Sequence, residues 1–166
     1  MAEPLDPNVK IACAVGAIVL TSQEIERLFK FLVPFQERGD SSVGSQLWSH
    51  ARLHKKSLGE VAGRFLEATE DDSNRLADFL GRVVKDRNEV VHHFQEHFGA
   101  MLGASRHEDV LSELHARHER MADLHRLLRE LAVSLAEIMR DTTFAGTPEQ
   151  EEMTRLCEQA RVSLPD

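Results

Sequence analysis

Apolar side chains recur at steps of three and four along most of the chain, the spacing that lines one face of an α-helix. The first stripe runs through Ile11, Val15, Ile18, Ile25, Leu28 and Leu32. Asp6-Pro7 opens it, an N-cap followed by proline at the first helical position, and Pro34 closes it. Residues 36–45, QERGDSSVGS, read as a loop, and Leu47 to Lys55 as a short helix. Ser57-Leu-Gly-Glu60 fits a capping box for a helix to Ala68. Glu70-Asp71-Asp72-Ser73 is the next start signal. Its stripe continues through Leu76, Leu80, Val83, Arg87, Val91, Phe94 and Phe98, and Gly99 stops it. Ser105-Arg-His-Glu108 is a second capping box. It opens the longest pattern, through Leu111, Leu114, His118, Met121, Leu124, Leu128, Leu131, Leu135 and Ile138. Phe144-Ala-Gly146 breaks that pattern, and Thr147-Pro148 caps a last helix to Val162.

No segment alternates with the period of two that a half-buried strand requires. The pattern therefore predicts an all-α fold. It is one antiparallel bundle of four to six helices, with a core over 7–142 and a C-terminal helix over 147–162. Leu114, Met121, Leu128 and Leu135 lie seven apart, which suits a bundle core or a dimer seam.

Composition changes this picture in three ways. A 166-residue chain with 42% hydrophobic residues can bury a core, and two Cys do not make a disulfide scaffold. A net charge of −8 argues against a general DNA-coating protein. Nine His raise the question of a metal, because imidazole is a common ligand. The most apolar run, Ile11 to Leu20, has ten residues, well short of the roughly 20 that a bilayer span needs. No basic n-region precedes it. A cytoplasmic protein without membrane contact is expected. The chain contains no GxxxxGK[ST], GxGxxG, CxxC, HExxH or GxSxG.

The most informative segment is residues 85–98, KDRNEVVHHFQEHF. Arg87 falls on the apolar stripe, where an unpaired guanidinium would be costly. Asn88 and His92 are four apart, hence neighbours on one helix face. His92, His93 and His97 place three imidazoles within two turns. The run Arg87-Asn88-Glu-Val-Val-His92 resembles the hallmark of the HEPN superfamily, an Arg separated from a His by four to six residues, often with a polar residue after the Arg. His93 is a second candidate for the motif histidine, and the likeness covers about 14 residues plus the helical architecture.

That resemblance implies a metal-independent endoribonuclease, of toxin or defence type, cleaving RNA through its 2′-OH. It implies a homodimer whose two copies share one site, with RNA, and an antitoxin or other protein, as partners. Arg87, Asn88 and His92 would be catalytic, with His93 and Glu89 accessory, and no cofactor or metal. Some members carry Tyr two residues after the motif histidine. Here that position is Phe94, and the chain has no Tyr.

The residues also allow plainer roles. Arg87 would then pair with Glu24 or Glu26 of the first helix, leaving a non-catalytic HEPN-like binding or assembly module. A basic run, His50, Arg52, His54, Lys55, Lys56 and Arg64, is opposed only by Glu60. With Trp48 beside it, this run suits an RNA backbone track with one stacking ring, or else a solvated face. Glu89 and His92 have the ExxH spacing of di-iron bundles, but no second copy occurs. His93 and His97 would supply half of a zinc site, with His115, His118 or His125 needed to complete it.

Overall fold

The computed structural model describes residues 5–36, 51–69 and 74–162. All the secondary structure among them is helical, and residues 51–53 are a short helical stretch. Six longer helices follow in chain order: α1 (Pro7–Gln36), α2 (Leu58–Ala68), α3 (Arg75–Val91), α4 (Phe94–Gly103), α5 (His107–Thr142) and α6 (Gln150–Val162). Trp48, His50 and the start signal at Glu70–Ser73 lie outside the described residues.

The Asp6 carboxylate accepts the Asn8 N–H at 2.7 Å, which satisfies one of the orphan donors at the start of α1. Ile11, Ile18, Ile25, Phe29, Leu32 and Val33 form its buried face. The helix runs two residues past Pro34. At Ser57 the Glu60 carboxylate accepts the Ser57 N–H at 2.9 Å and the Lys56 ammonium at 2.8 Å. These partners pull the Glu60 carboxyl down to about 2. The second expected capping box does not form. Ser105 has φ 57, a left-handed turn residue, and Arg106 takes the N-cap position of α5.

α1 and α5 are the principal pair. Lys10 to Ala17 face Glu108 to Glu119 across one hollow, and Thr21 Oγ1 meets His118 Nε2 at 3.1 Å. Leu28 shares a second hollow with Arg129 and Ala132. The numbers rise together, so these two helices run parallel, which corrects the expected all-antiparallel order. The intervening helices carry the chain back to the end where α1 begins. α3 runs antiparallel to α5, with Asp86 beside Arg120 and Glu89 beside Arg117. α6 folds back after a short turn, and Arg161 near its end pairs with Glu137. Thr147 lies in that turn, its hydroxyl bonded to the Phe144 carbonyl, so it is not the cap of α6.

Three further expectations need correction. The helix that begins at Arg75 does not continue to Phe98; it stops at Val91, and α4 starts at Phe94. On α3 the buried residues are Leu80, Val83, Asp86 and Val90, so Asp86 rather than Arg87 occupies the seam, and Val91 is exposed. On α5 the buried polar residue is Arg117 rather than His118, and Leu131 and Ile138 face outward. No helix among the described residues is long and apolar enough to cross a membrane. The run Ile11 to Leu20 lies within α1, with Ile11 and Ile18 in the core.

Phe29 is fully buried, and its ring meets Phe65 edge-on at 5.1 Å. Phe29→Ala should cost about 3–5 kcal/mol, read as a fall in the urea midpoint. A loss below about 1 kcal/mol would show that this ring pair is not central to the core.

Candidate functional site

Arg87 and Asn88 lie near the end of α3, and His92 is its C-cap. The His92 N–H bonds to the Asn88 carbonyl at 2.9 Å, closing the helix. The Asn88 side chain points to Arg87, whose Nη1 donates to Asn88 Oδ1 at 3.0 Å. The same Nη1 lies 2.8 Å from His92 Nε2. A guanidinium never gives up its proton in proteins, so Nε2 is the acceptor. Asn88 is thus the hinge of the group. Its backbone holds His92 and its amide holds Arg87.

His92 is exposed, and Arg87 and Asn88 are half-buried. Among the described residues Arg87 has no carboxylate partner. Glu24 is taken by Arg27 at 2.9 Å, and Glu26 by Lys30 at 2.6 Å. The plainer expectation of an Arg87–Glu24 or Arg87–Glu26 pair therefore does not hold. His93 is also exposed but turns to Glu96, with Nδ1 3.0 Å from the carboxylate. Arg87 selects His92 of the two adjacent imidazoles.

Behind this turn lies an ionic cluster that periodicity alone did not reveal. Arg117 and Asp86 are each only 7% exposed, which makes their pairing obligatory. Arg117 Nη1 donates to Glu89 Oε2 at 2.5 Å and lies 3.7 Å from Asp86. Its Nη2 donates to His97 Nε2 at 2.6 Å and lies 3.6 Å from Glu113. Its guanidinium carbon sits 5.2 Å from the centre of the Phe98 ring. Arg120 Nε binds the other Asp86 oxygen at 2.8 Å. The signal in the sequence was a charged residue on each of two stripes. A shift of one residue moved it from Asp86 to Arg87, and from Arg117 to His118.

Glu89 is therefore a partner of Arg117, not an accessory to His92. The two residues of the ExxH spacing diverge, one toward α5 and one toward Arg87. Burial pushes the Glu89 carboxyl up, but the Arg117 hydrogen bond and charge, with smaller help from His97 and Lys85, bring it below the ordinary value. Among the described residues no three His, Cys, Asp or Glu side chains converge as a metal cage. Of the basic run, Arg52 and Lys55 are exposed, Lys56 is held by Glu60, and Arg64 is half-buried on α2. None of them is bonded to the Arg87 group.

No family model, curated protein or solved structure matches this chain.

Two measurements test the cluster. Arg117→Ala removes the cation shared by Asp86 and Glu89, leaving Asp86 to Arg120 and Glu89 to the distant Lys85, and should cost about 3 kcal/mol of stability. Because Glu89 titrates lower in the fold than in the unfolded chain, its contribution is complete above the unfolded value, about 4.3. It is lost as pH falls through the folded value. The stability gap between wild type and Glu89→Gln should accordingly narrow from pH 7 to pH 3 in urea titrations. A gap of constant size would contradict the pairing.

Proposed function

We propose that this chain is a HEPN-like, metal-independent endoribonuclease with Arg87, Asn88 and His92 as its working group. The observation that supports this most is the 2.8 Å contact between Arg87 Nη1 and His92 Nε2 on accessible surface, with no carboxylate on the arginine among the described residues. A catalytic arginine must be able to receive a phosphate, and a carboxylate already bound there would compete with it.

The chemistry follows from the groups. Cleavage of RNA by its own 2′-OH needs a base for that proton, an acid for the departing 5′-oxygen, and positive charge near phosphorus. In its contact with Arg87, His92 presents the Nε2 lone pair, the group that accepts a proton once the guanidinium is drawn away. An arriving phosphate takes over the Arg87 donors, which releases Nε2 and neutralises the developing charge. Asn88 keeps the two side chains in register. A single chain supplies one histidine. A two-fold dimer with these turns face to face supplies a second, and the protonated copy serves as the acid. The 2′-OH requirement restricts the substrate to RNA, and a cytoplasmic location suits it. The toxin or defence role, with an antitoxin or other protein as partner, is the setting this activity fits.

The second reading is a non-catalytic HEPN-like binding or assembly module. The net charge of −8 favours it, since a nuclease must attract a polyanion.

The decisive experiment is cleavage of single-stranded RNA in EDTA. The expected products carry 2′,3′-cyclic phosphate ends. Arg87→Ala and His92→Ala should each lower the rate by at least about a hundredfold while circular dichroism stays unchanged. Full activity in either variant removes the assignment, and a wild type that binds RNA without cleaving it supports the second reading.

A further inference from the structure

The hollow between α3 and α5 has a volume of about 280 Å³. Four cationic side chains line it, Arg82, Lys85, Arg117 and Arg120, against the two carboxylates of Asp86 and Glu89. His97 also stands in its wall, with Nε2 2.6 Å from Arg117 Nη2. Even with Glu113, 3.6 Å from Arg117, counted against it, the hollow has more cations than carboxylates in a protein whose total charge is −8.

The four cations differ in how firmly they are held. Arg117 and Arg120 form a fixed floor, bound to Glu89 and Asp86. Arg82 is exposed and makes no ion pair among the described residues. Lys85 is 73% exposed, and its carboxylate neighbour, Glu89, is 3.8 Å away. Two loosely committed cations therefore stand over a rigid base. Floor carboxylates already satisfied by arginine repel an anion less than free ones would.

The position matters as much as the charge. Arg82, Lys85 and Asn88 follow one another at intervals of three along α3, so each is the next one's neighbour. From Arg82 to Asn88 the helix rises about 9 Å. A strand lying against Asn88 and His92 would continue directly over the hollow.

We propose that this hollow holds a backbone phosphate of the single-stranded RNA whose neighbouring phosphate sits at Arg87, with Arg82 and Lys85 as the contacting side chains. The proposal rests on the ribonuclease reading for the identity of the strand. Its chemistry, a phosphate group on paired cations, could also be met by a free anion, and the experiment separates the two.

Binding is measured on the full chain in a His92→Ala background, with a labelled oligouridylate of about 12 nucleotides and with a uridine dinucleotide. Adding Arg82→Gln and Lys85→Gln, both on accessible surface, should weaken binding of the longer probe about tenfold at low salt. The slope of log affinity against log salt should fall by about 0.7, the contribution of the one single-strand phosphate that the hollow holds. Dinucleotide binding should not change. An unchanged slope, or a parent protein that does not bind the longer probe at low salt, overturns the proposal. So does inorganic phosphate that displaces the probe from the parent at matched ionic strength but not from the variant, because the hollow then serves a free anion. A reduced slope in a chain that never cleaves RNA sinks the catalytic reading and upholds the hollow. Cleavage with an unchanged slope does the reverse.

Discussion

A buried guanidinium sets the terms for the middle of this structure. Arg117 sits on the inward face of α5 among leucines, where an unpaired charge would be prohibitive. Three helices answer it. α3 sends Asp86 and Glu89, α4 sends His97 and the face of Phe98, and α5 adds Glu113 one turn away. Apolar packing is non-directional and tolerates small sliding, whereas a forked cation with assigned acceptors does not. The cluster therefore fixes the rotation of α3 about its own axis. It also fixes the angle at which α4 departs, and both determine where the turn at His92 and His93 points.

That arrangement explains why neighbouring residues have opposite duties. Asp86 and Glu89 face inward to structure, while Arg87 and Asn88, on the adjoining faces of the same two turns, are left to each other and to His92. An inward acid–base network beneath an outward arginine–imidazole pair separates the charges that hold the fold from those available to a ligand. The negative total charge is compatible with this division. Many of the acids are spent locally, as Glu60 is with Lys56, Glu137 with Arg161 and Glu152 with Arg155.

Much of the fold was legible in the sequence, and the failures have physical causes. The helices were readable because their apolar spacing is regular, and the α2 start because Glu60 lies at the right distance from Ser57. The α3–α4 break was not, since Val91, His92 and His93 include neither glycine nor proline. The capping pattern at Ser105 failed because that residue takes a left-handed turn conformation, which puts it outside the helix. The one-residue error at Arg87 shows the limit of periodicity. A 3.6-residue repeat leaves adjacent positions about 100° apart, and a charged pair from another helix chooses between them. Arg87, Asn88 and His92 were legible as a local set because their spacing within one helix fixes their contacts. The hollow beside them was not, because Arg120 reaches it from a helix more than thirty residues away.

The parallel course of α1 and α5 bears on how the chain becomes folded at all. Thr21 and His118, which touch across that pair, are 97 residues apart in sequence. Closing so long a loop delays the reward of contact, and non-local pairings of this kind slow folding relative to simple hairpin bundles. During synthesis the apolar face of α1 emerges well before its principal partner, which follows about a hundred residues later. Until then α2, through Phe65 on Phe29, is the early cover for that face. Topology thus makes the growing chain, more than the finished one, the state most exposed to aggregation.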